Sequence, residues 1–78
     1  MKRSDFIRDF MEKAPGPVVD RKAAAGLSGG LICSGALANL DSKGLGVDKA
    51  DRVFMGRRTG YRTEAFANWL ADRMNLQG

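Results

Sequence analysis

VFMGRRTGY, at residues 53–61, is the segment of this chain with the most specific structural pattern. Apolar and aromatic residues at both of its ends favour two short β-strands, and Gly56 between them favours a turn because glycine adopts positive φ without strain. We therefore predict a β-hairpin with Arg57 and Arg58 at its tip. Since an isolated two-stranded hairpin is barely stable in water, the neighbouring segments must supply helices for it to pack on.

A helix is predicted directly after the hairpin, in the segment EAFANWLADRM at residues 64–74. Thr63 is a favourable N-cap for it, and Glu64 suits the positive end of its macrodipole. The apolar residues of this segment recur at helical spacing and form the largest block of core in the chain. They are Phe66, Trp69, Leu70 and Met74.

Two shorter helices are predicted before the hairpin. Asp20 can cap the first, RKAAAGL at residues 21–27, and Ser34 can cap the second, which runs to Gly44. In the second helix Leu37 and Leu40 face inward, and its outer face is small, polar and basic. Two helices joined by a glycine-containing turn and followed by a hairpin predict a mainly α fold with a small β-hairpin, a winged helix-turn-helix.

A further amphipathic helix is predicted at residues 4–14, capped by Ser4 and ended by Pro15-Gly16-Pro17. We expect residues 1–17 to form this helix and a linker, and residues 18–76 to form the winged helix-turn-helix domain. The apolar face of the helix at residues 4–14 packs either on that domain or on another copy of the chain, because a helix this short is only marginally stable alone. In the second case the self-association residues are Phe6, Ile7, Phe10 and Met11.

Positive charge is concentrated around the hairpin. Residues 43–62 hold six basic and two acidic residues, which equals the whole formal net charge of +4, and the remaining seven basic and seven acidic residues cancel. Lysine and arginine on an exposed element are what phosphate groups require, so the charge pattern favours double-stranded DNA as a partner.

Composition argues against several other classes of protein. The 78 residues allow one domain, and one cysteine without any histidine predicts neither an internal disulfide nor a metal site. We expect Cys33 to be a small buried residue. No nucleophile-base pair or phosphate-binding loop is recognisable, so we expect no enzymatic activity, no cofactor and no small-molecule substrate. Charges at Arg8, Asp9, Glu12 and Lys13 interrupt the apolar residues of the N-terminus, and no segment approaches the roughly 20 apolar residues that a membrane span needs. The sequence therefore predicts a cytoplasmic protein without a membrane segment.

Three segments in this order, DRKAAAGL, SGALANLDSKGLG and VFMGRRTGYRTEAFANWLADR, resemble the MerR-like winged-helix excisionases, also called recombination directionality factors, and the related AlpA-type phage regulators. The resemblance covers roughly residues 18–74. One departure is VDKA at residues 47–50, where relatives commonly place prolines.

This resemblance implies that the second helix of the pair enters the major groove of DNA and that the hairpin lies against the minor groove or the backbone. It implies an architectural protein that binds adjacent sites, bends DNA and directs a partner integrase towards excision. Cooperative self-association of copies on the DNA is part of this expectation. A regulator of transcription and a protein-interaction adaptor or inhibitor remain alternatives. The expected DNA-binding residues are Arg21, Lys22, Ser34, Asn39, Ser42, Lys43, Arg57, Arg58 and Arg62.

Overall fold

The computed structural model describes residues 1–78 and contains four α-helices and one three-stranded antiparallel sheet. The fold is thus mixed α/β, with a larger sheet than the expected hairpin. A single 3₁₀ turn, Lys49–Asp51, precedes the second strand. The elements in chain order are α1 Arg3–Lys13, β1 Val18–Asp20, α2 Arg21–Leu27, α3 Ser34–Ser42, β2 Arg52–Met55, β3 Arg58–Arg62 and α4 Thr63–Arg73.

The predicted hairpin is confirmed as β2 and β3, and β1 adds a third strand on the other side of β3. The turn itself contains only Gly56 and Arg57, because Met55 and Arg58 already pair across the two strands. Gly56 has φ +60°, and glycine at the first central position is typical of a two-residue hairpin turn. Arg58 is therefore a strand residue. The prediction that it shares the hairpin tip with Arg57 was wrong.

One core lies between the sheet and the helices. Tyr61 of β3 and Phe66 of α4 are fully buried, and their rings stack with centroids 5.4 Å apart. Leu37 brings α3 into the same core, and Val19 brings in β1. Trp69, expected in the core, is only partly buried: it packs against the edge of the core while its indole Nε1 donates to the Leu45 carbonyl at 3.3 Å.

Helix α1 packs against α4 and contributes to the same core. Phe10 is 4% exposed, and its ring centroid lies 5.7 Å from that of Phe66. Phe6 and Ile7 pack partly against this core, and only Met11 of the apolar face is exposed. The face expected to be available for self-association is thus mostly used within the chain.

Side chains cap the N-termini of two of the four α-helices. Asp20 caps α2 as predicted, since its carboxylate accepts from the Ala23 amide at 2.7 Å. Ser34, Thr63 and Ser4 were predicted as caps but lie inside their helices. Cys33 caps α3 through its sulfur and is exposed, contrary to the expected burial. None of the four helices has the length and apolar character that crossing a membrane requires.

Candidate nucleic-acid interface

An open groove of about 270 Å³ lies between the start of α2, the start of α3 and the start of β3. No hydrophobic side chain lines it, so the groove suits a polar or charged ligand. It brings together four of the nine predicted DNA-binding residues, from three separate parts of the chain. The groove is lined by Asp20, Arg21, Lys22, Ser34, Arg58 and Thr59.

A buried polar network holds the walls of this groove in place. The Asp41 carboxylate, with a side chain only 3% exposed, accepts from Arg21 Nη2 at 2.8 Å and from the Tyr61 hydroxyl at 2.7 Å. Arg21 Nε in turn donates to the Tyr61 oxygen at 3.0 Å. These three residues connect α2, α3 and β3, the same elements that form the groove.

The network also raises the pKa values of Tyr61 and Arg21. Burial, and then the hydrogen bond to Asp41, raises the pKa of Tyr61 to about 12. Burial lowers the pKa of Arg21, but the hydrogen bonds to Asp41 and Tyr61 outweigh it, so the net shift is upward. The tyrosine hydroxyl therefore remains a donor and the guanidinium remains charged across the neutral pH range.

Close approach of the backbone at Gly46 completes the enclosure of Asp41. A Cβ atom at residue 46 would lie 2.0 Å from Asp41 Oδ1, which is far inside van der Waals contact. Oδ1 is buried and has no hydrogen-bond partner, in contrast to Oδ2. Gly46 is thus required by space, whereas Gly44 is required by its φ of +74° at the end of α3.

The outer face of α3 carries the next group of predicted residues. Asn39, Ser42 and Lys43 are all exposed, as expected, and lie beyond the groove towards the end of the helix. The Ser42 hydroxyl donates to the Asn39 carbonyl at 2.8 Å, so its donor is used within the helix. Gly35 is exposed on the same helix and has open space around it, which permits a ligand to approach the backbone closely.

The arginines of the hairpin differ in their surroundings. Arg57 lies in the turn and Arg58 on the groove wall; both are exposed and make no salt bridge. Arg62 forms a salt bridge with Asp51 at 2.9 Å, although its side chain remains 59% exposed. Exposed ion pairs of this kind are weak, so Arg62 can exchange Asp51 for another anion at small cost.

Most of the basic side chains have no acidic partner. Of the thirteen lysines and arginines, four take part in salt bridges, namely Arg3, Arg8, Arg21 and Arg62, which leaves nine without one. Lys22, Lys43, Arg57 and Arg58 are among these nine. Asp20, the single acidic residue that lines the groove, caps α2 and offsets one of the positive charges there. The surface formed by α2, α3 and the hairpin still has an excess of basic side chains.

Sequence reasoning missed Asp41, Tyr61 and Thr59. Thr59 lines the groove, and Asp41 with Tyr61 positions Arg21. A signal for Asp41 was present: it follows Leu37 by four residues, so it lies on the inward face of α3, where a carboxylate needs a partner. The identity of that partner could not be read from the sequence, because Arg21 and Tyr61 each lie 20 residues away.

Comparisons with protein-family models, with curated protein sequences and with solved structures gave no match for this chain.

Proposed function

We propose that this chain is a winged helix-turn-helix protein that binds double-stranded DNA, with α3 in the major groove and the β2–β3 hairpin against the neighbouring minor groove or backbone. The observation that carries this proposal is the polar groove at the start of α3. There Lys22, Ser34 and Arg58 meet on one open surface, and neither of the two basic side chains has an acidic partner.

The dimensions of α3 support the same arrangement. An α-helix with its side chains is about 10–12 Å across, and the major groove of B-DNA is about 12 Å wide, so a slim helix such as α3 can enter it. Small exposed residues at Ser34, Gly35 and Ser42 keep the helix slim on its outer side. Asn39 is the amide side chain on that face, and an asparagine amide can form hydrogen bonds with N6 and N7 of adenine together.

The more specific role that we propose is that of an excisionase, which binds adjacent sites, bends DNA and directs a partner integrase towards excision. Support for this role comes from the resemblance in sequence described above. A regulator of transcription would use the same DNA-binding residues. An excision assay with the integrase of the same genetic element separates the two, since a regulator has no effect on recombination.

DNA binding itself is tested by measuring the affinity for a labelled duplex over a range of salt concentrations. If four to six phosphates are neutralised, log affinity falls against log salt with a slope of about −4 to −5. Replacing both Lys22 and Arg58 by alanine removes two groove cations, so we expect the slope to become less steep by about 2.

The matched control is Lys13→Ala, which removes an exposed cation at the end of α1, outside the groove. We expect its slope to equal that of the unaltered protein. An equal slope for the double variant and the unaltered protein would show that the groove does not meet DNA, and an affinity independent of salt would reject DNA as the partner.

A further inference from the structure

Phe54 on the hairpin is the one aromatic residue that takes no part in the core. Its side chain is 60% exposed and contacts no other aromatic ring, whereas the remaining aromatic residues lie in the core or pack against it. A large apolar side chain left in water at this place contributes nothing to the packing of the fold. Its position therefore calls for another explanation.

The direction of Phe54 follows from the pairing of the strands. Tyr61 points into the core, and Thr59 lies two residues earlier on β3, so Thr59 is on the same, helix-facing side of the sheet. Phe54 pairs directly with Thr59 and shares that side. The helices cover the sheet at the level of Tyr61 but leave Phe54 open, one residue pair further towards the turn than the buried part of the hairpin.

This direction places Phe54 next to the polar groove. Thr59 lines that groove together with Ser34 at the start of α3. Residues directly opposite in an antiparallel pair have Cβ atoms about 4.5–5.5 Å apart, so the side chain of Phe54 adjoins the wall that Thr59 forms. The surface proposed to bind DNA thus continues from a polar groove to an exposed phenyl ring.

The charges around the ring fit a polyanion. Lys22, Arg57 and Arg58 make no salt bridge, and Asp20 offsets one of these three charges. Arg62 adds nothing to the excess, because it is paired with an acidic residue. Positive charge therefore remains beside Phe54 after the acidic neighbours have been counted, which suits phosphate groups on either side of the ring.

A phenyl ring has few apolar partners on the outside of a duplex, because the base faces are stacked and the phosphates are charged. In proteins that bind the minor groove, apolar side chains such as phenylalanine insert between base steps, partly unstack them and kink the duplex by about 20–90°. Pyrimidine–purine steps are the most easily unstacked. An exposed ring at the edge of a phosphate-binding groove is suited to this kind of contact.

We propose that Phe54 is the wedge with which this chain bends DNA. The polar groove holds the DNA strand that separates the major groove from the neighbouring minor groove, and the ring of Phe54 enters that minor groove at a pyrimidine–purine step. This role rests on the proposed DNA function. It adds to that function the residue that produces the bend, and a preference for a flexible step where no hydrogen bond reads the bases.

The test uses the whole chain and a duplex of about 25 bp that the unaltered protein selects from a random-sequence pool. Dyes at the two ends report the bend by energy transfer. At each pyrimidine–adenine step in turn, 2-aminopurine replaces adenine, since its fluorescence rises when stacking is lost. With the unaltered protein we expect a bend of at least about 20° and a rise in fluorescence at one step.

Phe54→Thr removes the ring and keeps a residue that favours strands and pairs well with Thr59, so the hairpin is retained. We expect the fluorescence rise to disappear and the bend to fall by at least roughly half. The salt slope stays the same, because no phosphate contact is removed. Phe54→Leu keeps an apolar wedge and should retain most of the bend.

The matched control is Met55→Thr, which alters the next residue of β2. Met55 is 79% exposed and lies on the opposite side of the sheet, so both signals should remain. A fluorescence rise that is lost in Met55→Thr and kept in Phe54→Thr would overturn the role given to Phe54.

The remaining outcomes separate the wedge from DNA binding itself. Salt-dependent duplex binding without a fluorescence rise at any step rejects the wedge and leaves the DNA function in place, as does a bend that Phe54→Thr retains in full. No duplex binding by the unaltered protein rejects both. If Phe54→Thr loses cooperative binding to adjacent sites and fluorescence never rises, the ring contacts a neighbouring copy and the wedge is rejected.

Discussion

The Tyr61 hydroxyl donates to the Asp41 carboxylate at 2.7 Å, and through this bond the hairpin is tied to α3 inside the core. The same carboxylate holds Arg21 at the start of α2. The two helices and the hairpin that form the proposed DNA surface therefore share one buried anion. Their relative positions depend on polar contacts as well as on apolar packing.

Removal of the tyrosine hydroxyl tests this link. We expect Tyr61→Phe to lower the free energy of unfolding by about 1.5–3 kcal/mol, because a hydrogen bond to a buried charge is lost while the ring stays in place. Urea denaturation measures the change. Ser42→Ala is the control, since it deletes an exposed hydroxyl that bonds only within α3, and it should cost well under 1 kcal/mol. Equal losses in the two variants would contradict the role given to Tyr61.

The same hydroxyl makes stability depend on pH in the alkaline range. The pKa of Tyr61 is about 12 in the folded chain and about 10 in an unfolded one, so the folded state retains the proton longer. Its contribution is fully present below pH 10 and is lost as the pH rises through 12, up to about 2 kcal/mol.

Because the chain has a single tyrosine, ultraviolet absorbance of tyrosinate reports this group alone. We expect its titration midpoint to move down to about 10 in urea. Unfolding experiments at pH 9 and at pH 11.5 should differ for the unaltered protein, and this difference should shrink in Tyr61→Phe. A midpoint that is the same with and without urea would exclude the proposed burial effect.

Gly46 provides a separate test of the space around Asp41. We expect Gly46→Ala to destabilise the fold by about 2–4 kcal/mol, because the new Cβ would lie 2.0 Å from Oδ1. Gly35→Ala is the control: nothing lies within 4 Å of its Cβ position, and alanine favours the helix by about 0.5–1 kcal/mol.

A double-mutant cycle identifies the cause of the Gly46 effect. Asp41→Ala removes the atom that the new Cβ would strike, so the loss in the double variant should be smaller than the sum of the two single losses by more than about 1 kcal/mol. Additive losses would mean that the constraint at Gly46 comes from the backbone and not from the carboxylate.

Several features of the fold could be predicted from local sequence, and the reason is that they depend on nearby residues. The four helices follow from apolar spacing, the cap at Asp20 from a contact three residues away, and the hairpin from Gly56 with its flanking strands. The three-residue strand β1 was visible only as Val18-Val19, because its partner β3 lies some 40 residues further along the chain.

The candidate site was predictable to a similar extent. Basic residues at Lys22 and Arg58 could be named from charge and resemblance, and the fold brings both to one groove. The partly inward position of the Arg21 side chain could not be predicted from the sequence, because it depends on the contact between Asp41 and Tyr61. Whether α1 would pack on the domain or on another copy also depended on long-range contacts, here with α4.

The packing of α1 can be tested with two variants of its apolar face. Phe10→Leu alters a residue that is 4% exposed and contacts the ring of Phe66, so we expect a loss of about 1–2 kcal/mol in the free energy of unfolding. Met11→Ala alters the exposed neighbour and should cost less than about 0.5 kcal/mol. Unfolding midpoints that rise with protein concentration would instead indicate self-association through this face.

Asn39 and Lys43 lie four residues apart at the exposed end of α3 and are expected to contribute differently to DNA binding. Asn39→Ala should remove discrimination at one base pair, at a cost of about 1–3 kcal/mol for the preferred duplex only, because an amide reads base edges. Lys43→Ala should weaken binding to all duplexes alike and reduce the salt slope by about 1, because it meets phosphate.

Affinities measured over a set of duplexes with single base-pair substitutions distinguish these effects. In the Asn39→Ala protein the penalty for one substituted position should vanish while the penalties at other positions remain. Uniform weakening by Asn39→Ala, with the order of duplex affinities kept, would place this side chain on the backbone of DNA or outside the interface, and α3 would then not be the helix that reads the sequence.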